Sequence, residues 1–430
     1  MKAEESPLQH IEAAVQQRAK AADLDMSSPD AADRLRQLIA EELTDWAREH
    51  ARGHRPYPLA DPEALAARAY RNLAGYGPLD ELLRDPDVWE IMVNGPAAIF
   101  VRRHRGPSGY HPDVFHDDRH VVRTLTKLLD DASSSHRKLD PSEGLQDAQL
   151  DDGSRLHIVH ADLARGGHTM VNIRRFAGVA FRSLDELVAT DTLTDTAARF
   201  LRACVQARAS IVFAGAPGAG KTTLLSCCAA ELDPSLRVVT AEEVFEVDVP
   251  LANVASLQTR ASRPERQEVD LRRLVSGFLR MAPDIAIVGE VRDREALALL
   301  LTLSSGVKGF TTIHGGSARQ ALTRLRFVAQ LADGDLPLAA LNSLVAEAVD
   351  LVVHSVRTSE GPRINEIIAV EDHAGSLDAV PFTITDVFRR TGSDGMLRWT
   401  GEIPNRLGLL FDQAGLHVRE IVDTTSQVAR

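Results

Sequence analysis

Residues 215–222 read G-A-P-G-A-G-K-T, and this stretch decides the fold of the chain. It matches the pattern G-x-x-x-x-G-K-[ST] at every fixed position. The apolar run 211–214 before it predicts a buried strand, and Leu224, Leu225 and Cys228 follow at helical spacing. The pattern therefore lies between a strand and a helix, which is the context that a phosphate-binding loop requires.

The residue types of this loop suit a polyphosphate. Glycines let several backbone N–H groups point inward, and the N-terminus of the next helix adds positive potential. Lys221 can reach the β- and γ-phosphates, and the Thr222 hydroxyl can take one Mg²⁺ position. An ordinary glycine-rich turn is the alternative, but it does not explain why strand, loop and helix agree. The predicted binding residues are Gly215, Ala216, Pro217, Gly218, Ala219, Gly220, Lys221, Thr222 and Thr223.

The composition of the 430 residues is that of a globular protein, with 44% hydrophobic and 26% charged residues. A formal net charge of −12 provides no general attraction to nucleic acid, so we expect no direct nucleic-acid partner. The odd count of three cysteines argues against a disulfide framework. The polar N-terminus and the lack of a long apolar run favour a cytoplasmic protein, which leaves peripheral attachment to a membrane complex open.

Hydrophobic periodicity divides the chain into five segments. The polar first 28 residues lack a persistent apolar stripe, which predicts disorder or a loose helix there. Alternating strands and helices after residue 196 predict a mostly parallel sheet covered on both faces. The predicted segments are 1–60, a flexible or helical N-terminal extension; 61–178, an α+β N-terminal domain; 179–195, a linker; 196–373, the α/β domain with the phosphate loop; and 374–430, a C-terminal tail with a hairpin.

Two strands of the predicted sheet end in carboxylates. The run 285–289 delivers Glu290, which can hold the Mg²⁺ shell or polarise the attacking water. The run 238–241 delivers Glu242 and Glu243, with Glu246 close behind, and any of these can orient or deprotonate a water. A surface glutamate explains Glu290 alone, and a solvated charge run explains the second group equally well.

Other candidate residues are a histidine and a set of arginines. The strand 309–313 ends at His314, which is either a satisfied loop histidine or a sensor of the phosphate or of a neighbouring subunit. Guanidinium groups can neutralise charge that develops on a transferred phosphoryl group, although arginines are also common surface residues. The candidate arginines are Arg155, Arg174 and Arg175 in the N-terminal domain and Arg260, Arg263, Arg266 and Arg280 in the α/β domain.

These motifs occur together in the order seen in the secretion ATPase superfamily, which powers type II and type IV secretion and type IV pili. Within it the chain most resembles the Flp/Tad pilus assembly ATPases, the CpaF-like branch. The likeness covers roughly residues 70–373. It rests on the segments 215–222, 242–246, 280–292 and 312–314, and upstream on 75–79, 90–96, 152–155 and 173–176.

The resemblance implies a RecA-like P-loop ATPase core behind a smaller α+β N-terminal domain, assembled into a homo-hexamer. ATP with Mg²⁺ would bind between the two domains, and inner-membrane platform proteins of a pilus or secretion system would be the partners at the inner face of the membrane. Glu246 matches the base for water, and Glu290 matches a carboxylate that acts through Mg²⁺. His314 matches the later histidine of the histidine box, while Arg155 and Arg174 match arginines that approach the nucleotide.

The sequence departs from the family pattern at four places. Val307 replaces a histidine, Gly315-Gly316 replaces an Ala-Asn pair, Glu243 replaces an aspartate, and Ala282 replaces an arginine. These changes leave the phosphate-binding residues intact and bear on the coupling between subunits. Two other functions stay open: a type IV secretion ATPase for conjugation or export, and a weakly hydrolysing, nucleotide-sensing assembly switch.

Overall fold

A computed structural model of the chain divides into two compact units, Met1–Ala177 and Gly178–Arg430. Within the described residues, none of the helices is both long and apolar enough to cross a membrane. The described residues are 6–25, 28–103, 106–132, 138–175, 181–260, 267–332, 335–372, 382–391 and 395–422.

The first unit begins with three helices that share one core, α1 (Pro7–Ala21), α2 (Ala31–Ala51) and α3 (Pro62–Ala74). Helix α1 starts with a capping box, in which the side chains of Ser6 and Gln9 bond each other's backbone N–H. It is a regular helix, although the sequence pattern predicts disorder or a loose helix. Its apolar residues Leu8, Ile11 and Val15 are few, but they lie one turn apart and are buried with α2. Tertiary packing thus outweighs a weak local signal.

An antiparallel sheet forms the rest of the first unit. Its strand order is β3-β2-β1-β6-β5-β4. Helix α5 covers it with Val121, Leu125, Leu128 and Leu129, and begins where the Asp117 side chain accepts a hydrogen bond from the backbone of His120. The strands are β1 (Val88–Gly95), β2 (Ala98–Arg103), β3 (Gly109–Tyr110), β4 (Leu145–Gln149), β5 (Arg155–Val159) and β6 (Met170–Arg174); the remaining helices are α4 (Leu79–Arg84) and α5 (Asp118–Asp131).

The second unit is built on a larger sheet, whose order within the described residues is β15-β14-β13-β12-β7-β11-β10-β8-β9. The strands from β12 to β9 in this order are mutually parallel, while β13, β14 and β15 extend the sheet antiparallel. The strands are β7 (Ile211–Gly215), β8 (Val238–Glu242), β9 (Val254–Gln258), β10 (Ile285–Val291), β11 (Lys308–Ile313), β12 (Leu351–Thr358), β13 (Gly361–Glu371), β14 (Thr383–Thr391) and β15 (Met396–Trp399).

Helices cover both faces of this sheet. Alternate residues of β7 enter opposite cores, since Ile211 and Phe213 pack with one helix layer and Val212 and Ala214 with the other. Phe213 is fully buried, and replacing it with Ala would cost roughly 3–5 kcal/mol of unfolding free energy. The helices are α6 (Leu184–Ala189), α7 (Asp195–Gln206), α8 (Lys221–Ala229), α9 (Leu271–Val275), α10 (Glu295–Ser304), α11 (Ala318–Ala332), α12 (Leu338–Ala348), α13 (Asn405–Gln413) and α14 (Val418–Val422).

The α/β class and the mostly parallel, doubly covered sheet are confirmed. Strands β14 and β15 pair antiparallel at one edge of this sheet. The segments 179–195 and 374–430, which the sequence pattern predicts to be a linker and a tail, both contain helices. Helix α6 lies within 179–195, and its Leu184 and Leu187 are buried in the core. Helices α13 and α14 complete that same core through residues such as Leu407 and Phe411, so the C-terminal residues that the structure describes are part of the folded unit.

Candidate nucleotide-binding site

The phosphate loop connects β7 to α8 at the carboxyl end of the parallel strands. Gly215, Gly218 and Gly220 all have positive φ, at 156°, 73° and 82°. A Cβ on Gly215 would collide with the carbonyl oxygen of Ser355, and one on Gly220 would lie 3.1 Å from Pro362. Glycine is therefore required both by the backbone conformation and by close contact with the β12–β13 hairpin.

The side chain of Lys221 folds back onto this loop. Its Nζ donates to the carbonyl oxygen of Ala216 at 3.2 Å and lies 3.2 Å from Nδ1 of His314. Lys221 is only 7% exposed. The same Nδ1 also lies 3.3 Å from the carbonyl oxygen of Gly215. An ammonium group only donates and a carbonyl oxygen only accepts, so Nδ1 faces a donor and an acceptor together.

His314 in turn contacts Glu290, the carboxylate at the end of β10. Nε2 of His314 lies 2.7 Å from Oε1 of Glu290. Burial first, and the charge of Lys221 next, lower the pKa of His314 below its usual value, so the imidazole is neutral at pH 7. The contact is therefore a close polar contact between a neutral ring and a carboxylate rather than an ion pair.

The state of Glu290 follows from its neighbours. Burial on its own would raise the pKa of Glu290, but the hydrogen bond and charge of Arg292, with His314 and Lys221, outweigh it and the pKa is lowered. Nη2 of Arg292 donates to Glu290 at 2.7 Å, and Nη1 donates to Glu243 at 3.0 Å. Arg292 thus joins the two carboxylate strands. Sequence reasoning missed it as a site residue, although its position two residues after Glu290 was the available signal.

The acidic group after β8 separates into three different environments. Glu242 is buried, and its carboxylate accepts backbone hydrogen bonds from Glu246 and Val247. Glu243 is exposed and contacts Arg292. Glu246 is half-buried. The pKa of Arg292 is raised chiefly by its hydrogen bond to Glu290, and the charges of Glu243 and Glu246 add to that shift. The structure therefore brings Glu246 and Glu290 to one cluster, and Glu242 does not belong to a solvated charge run.

The residues of this loop fit a bound triphosphate with its metal. The loop offers glycine positions that no side chain could fill, followed by the start of α8. Thr222 and Thr223 lie in the first turn of α8, where both are half-buried. The Thr222 hydroxyl and the ionised Glu290 carboxylate supply the oxygen donors that Mg²⁺ prefers. Arg357, which sequence reasoning also missed, donates to the carbonyl oxygen of Gly218 at 3.2 Å and ties the loop to β12.

The two candidate arginines of the first unit lie side by side. Arg155 on β5 and Arg174 on β6 are direct cross-strand partners, so their side chains leave the same face of the sheet. On the other side of Arg174 its cross-strand partner is Glu90 of β1, so the two arginines continue into an opposite charge across the sheet. Arg175 has another role, because its Nη1 donates to carbonyl oxygens of Leu82 and Asp85 behind α4.

The remaining arginine candidates do not join the cluster around Lys221. Arg260 donates to the carbonyl oxygen of Gln267, and Arg280 is exposed at the end of a short 3₁₀ turn. Arg263, Arg266 and Phe176 lie outside the described residues.

Comparison with known proteins gives one family and several relatives. Residues 72–371 match the profile of the family described as Type II/IV secretion system protein. A Mycobacterium tuberculosis protein, provisionally named a conjugal transfer protein, is 32% identical over 333 residues, which is 75% of this chain and 92% of that protein. The conjugal transfer protein TrbB of Rhizobium radiobacter is 34% identical over 231 residues, or 50% of this chain and 68% of TrbB.

Two further similarities are to VirB11 proteins. VirB11 of Agrobacterium fabrum is 29% identical over 305 residues, which covers 64% of this chain and 87% of that protein. The crystal structure of the VirB11 ATPase of the Brucella suis type IV secretion system superposes with a TM-score of 0.36 at 26% identity, over 67% of this chain and 94% of that one.

Proposed function

Because this chain belongs to the type II/IV secretion system protein family, the ATPases of secretion and pilus systems, we propose that it is an ATP-hydrolysing motor for Flp/Tad-type pilus assembly or related secretion. The observation that carries the proposal is the chain of contacts from Lys221 through His314 to Glu290 at the end of the phosphate loop. It links the lysine of the loop to the carboxylate of a neighbouring strand through one neutral imidazole.

In the proposed reaction the loop binds the phosphates of ATP through its backbone N–H groups, and Lys221 turns from Ala216 and His314 to the β- and γ-phosphates. Mg²⁺, held by Thr222 and Glu290, would offset the charge of the phosphates. Glu246 accepts a proton from the water that attacks the γ-phosphorus, while the bond to the β-phosphate oxygen breaks and ADP leaves. Arg155 and Arg174 neutralise the charge that develops.

His314 has a defined task in this scheme. Its Nδ1 contacts Lys221 and its Nε2 contacts Glu290, so the ring separates these two charged groups and keeps both in place. When Lys221 moves to the phosphates, Nδ1 loses that contact while Nε2 keeps Glu290. His314 can therefore report the presence of the γ-phosphate to the strand β11.

The motor would work as a homo-hexamer at the inner face of the cell membrane, with platform proteins of a pilus or secretion system as partners. Each hydrolysis cycle would move the first unit against the second, and this motion would drive the platform. The family of this chain supports action at a secretion system in general. The hexamer can be tested by sedimentation of the purified chain with and without ATP.

The first test is steady-state ATP turnover of the full chain and of Lys221→Ala. We expect a loss of about 100-fold or more, since removing one pre-organised charge partner of a transition state typically costs that much. Lys20→Ala, an exposed lysine of α1, is the matched control and should turn over ATP like the wild type. Equal turnover of Lys221→Ala and the wild type would contradict the motor.

A second candidate is an ATPase for conjugation or protein export. It is favoured by the relatives named as conjugal transfer proteins and VirB11. Neighbouring genes for pilins or for channel proteins distinguish the two. Deletion of this gene, scored for loss of surface pili or for loss of transfer, would do the same.

We favour the weakly hydrolysing switch less than the motor. Val307, which stands where the family has a histidine, lies far from the phosphate loop of its own chain. Val307 precedes β11 at the amino end of the sheet, whereas His314 follows β11 at the carboxyl end. At about 3.3 Å per residue the two positions are roughly 20 Å apart. The contacts of Lys221 and Glu290 therefore do not depend on Val307.

A further inference from the structure

Glu242 is a buried carboxylate that the proposed reaction does not use. It ends β8 and is 3% exposed. Burying a carboxylate is costly unless hydrogen bonds compensate for the lost water. Its Oε2 accepts the backbone N–H groups of Glu246 at 2.8 Å and of Val247 at 2.9 Å. These are charge-assisted hydrogen bonds to the backbone of the loop that contains Glu246, and they fix the backbone position of Glu246.

The neighbouring strand is shaped to admit the Glu242 side chain. A Cβ added to Gly289 on β10 would lie 2.8 Å from Cγ of Glu242 and 3.1 Å from its Oε2. Gly289 does not require a positive φ, since it is absent from the residues with that conformation. The glycine is therefore explained by close approach of Glu242, one residue before Glu290.

The same loop has a second anchor on the helix that follows the phosphate loop. The backbone N–H of Asp248 donates to Oγ of Ser226 at 3.2 Å, and Ser226 is buried in α8. Residues 243–247 are thus held by the sheet at one end, through Glu242, and by the helix that begins at Lys221 at the other.

From this geometry we propose that Glu242 is a positioning residue for hydrolysis. It holds the 243–247 loop so that the Glu246 carboxylate stands in the cluster with Arg292 and Glu290, and Gly289 provides the space for it to do so. This inference rests on the proposed ATPase function. Binding of the phosphates relies on other residues, so loss of Glu242 affects the rate of the chemical step rather than the affinity for ATP.

The test is a double-mutant cycle between Glu242→Ala and Gly289→Ala, measured as kcat and KM for ATP with the full chain. A displacement of about 1 Å in a catalytic group can cost about 100-fold in rate, and we expect kcat of Glu242→Ala to fall by about 10- to 100-fold with KM within about twofold of the wild type. Gly289→Ala should give a similar loss, since its methyl group displaces the same side chain. In the Glu242→Ala background, where the space is free, Gly289→Ala should have little further effect.

Conservative and exposed variants complete the test. Glu242→Gln keeps an oxygen that can accept one of the two N–H groups, and should retain more activity than Glu242→Ala. Glu268→Ala, at an exposed position, should match the wild type. If Glu242→Ala does not fold, as judged by thermal unfolding, Glu242→Gln and Gly289→Ala still carry the comparison.

The inference is overturned if Glu242→Gln and Gly289→Ala both keep kcat within twofold of the wild type, or if KM for ATP rises while kcat stays constant. Additive losses in the cycle would also overturn it. These outcomes differ from failure of the proposed function, in which the wild type itself shows no turnover that depends on Lys221.

Discussion

The two ends of the large parallel sheet carry charged clusters of similar composition but different construction. At the carboxyl end, Lys221, Glu290 and Arg292 meet around His314. At the amino end, Lys308 and Arg406 meet on Asp350, where β7, β11 and β12 begin. One sheet thus holds two lysine–arginine–carboxylate groups at opposite ends of the same strands.

The amino-end cluster is closed. Asp350 is 0% exposed, and its carboxylate accepts from the backbone N–H of Ser210 at 2.7 Å and from Lys308 at 2.8 Å. It also forms an ion pair with Arg406, whose Nη2 lies 2.7 Å from Oδ1. The Arg406 guanidinium continues to the carbonyl oxygens of Ala346 and Glu347 at the end of α12. These charges are matched by opposite charges within the chain, which fixes the strands and α13 together.

The carboxyl-end cluster is open by comparison. The side chain of His314 is 32% exposed and that of Glu290 is 22% exposed. Lys221 contacts a carbonyl oxygen and a neutral imidazole, which hold an ammonium group less strongly than a phosphate does. Partner type and burial, rather than residue composition, therefore separate a cluster that stabilises the fold from one that can exchange its contacts for a ligand.

Removing the Asp350 carboxylate should destabilise the closed end strongly. Asp350→Ala leaves Lys308 and Arg406 without their shared carboxylate, and we expect the free energy of unfolding to fall by about 3–5 kcal/mol in urea denaturation. Asp372→Ala is the matched control, because Asp372 also faces Arg406, at 4.0 Å, but its side chain is 89% exposed. Its effect should be within about 1 kcal/mol. Equal losses in the two variants would contradict a closed network.

The next effect concerns the open end. Arg292→Ala removes the bridge between Glu290 and Glu243, and loss of such an orienting partner typically lowers activity roughly tenfold or more. We expect kcat for ATP to fall by about tenfold, with the unfolding free energy changed by less than about 1 kcal/mol. Arg294→Ala, two residues further on and also exposed, is the control. If the free energy of unfolding falls by more than the activation free energy of hydrolysis rises, Arg292 stabilises the fold as the Asp350 cluster does.

A smaller effect depends on pH. The folded chain binds a proton at His314 less readily than the unfolded chain, because the pKa of His314 is lowered from 6.5. Stability from this group is therefore complete above pH 6.5 and falls as the pH decreases toward the folded pKa, by at most about 1.4 kcal/mol per pH unit. Urea unfolding at pH 7.5 and 5.5 should show a larger loss for the wild type than for His314→Gln. An equal loss would show that His314 is not held neutral.

The rate of thiol labelling of the buried cysteines gives a further, smaller difference between the two ends of the sheet. Burial raises the pKa of Cys227 to about 12, and burial also raises the pKa of Cys204 and Cys228. Protonated, buried thiols react slowly, so a thiol reagent at pH 8 should label the wild type and Lys221→Ala only slowly. Asp350→Ala should label faster, since it opens the core next to Cys204. Rapid labelling of Lys221→Ala would show that the open cluster also stabilises the core, which contradicts the difference between the two ends of the sheet.

Much of the open end could be predicted from the sequence, because its parts are local. The phosphate loop is one continuous motif, and Glu290 and His314 each follow a short apolar strand. The carboxyl ends of parallel strands lie at one edge, so sequence order alone placed these groups together. The separate roles of Glu242, Glu243 and Glu246 could not be predicted, since they depend on which side chain turns toward Gly289 and which toward Arg292.

The closed end could not be predicted at all. Ser210, Lys308, Asp350 and Arg406 are spread over nearly 200 positions, and no local pattern relates them. The same reason hides the antiparallel extension of the sheet and the role of α13, whose N-terminus is held by Glu371 on β13. Contacts between distant segments are decided by packing, for which a single sequence carries little signal.

The contact between Gly215 and the Ser355 carbonyl oxygen has a consequence for how the chain can be divided. Together with Arg357 and Pro362, it makes the β12–β13 hairpin the wall behind the phosphate loop. A chain that ends before Leu351 would keep every residue of the nucleotide motif and yet lack the surface against which that loop is shaped. The shape of the phosphate loop is in this sense a property of segments some 140 positions apart, and neither half should be expected to supply it alone.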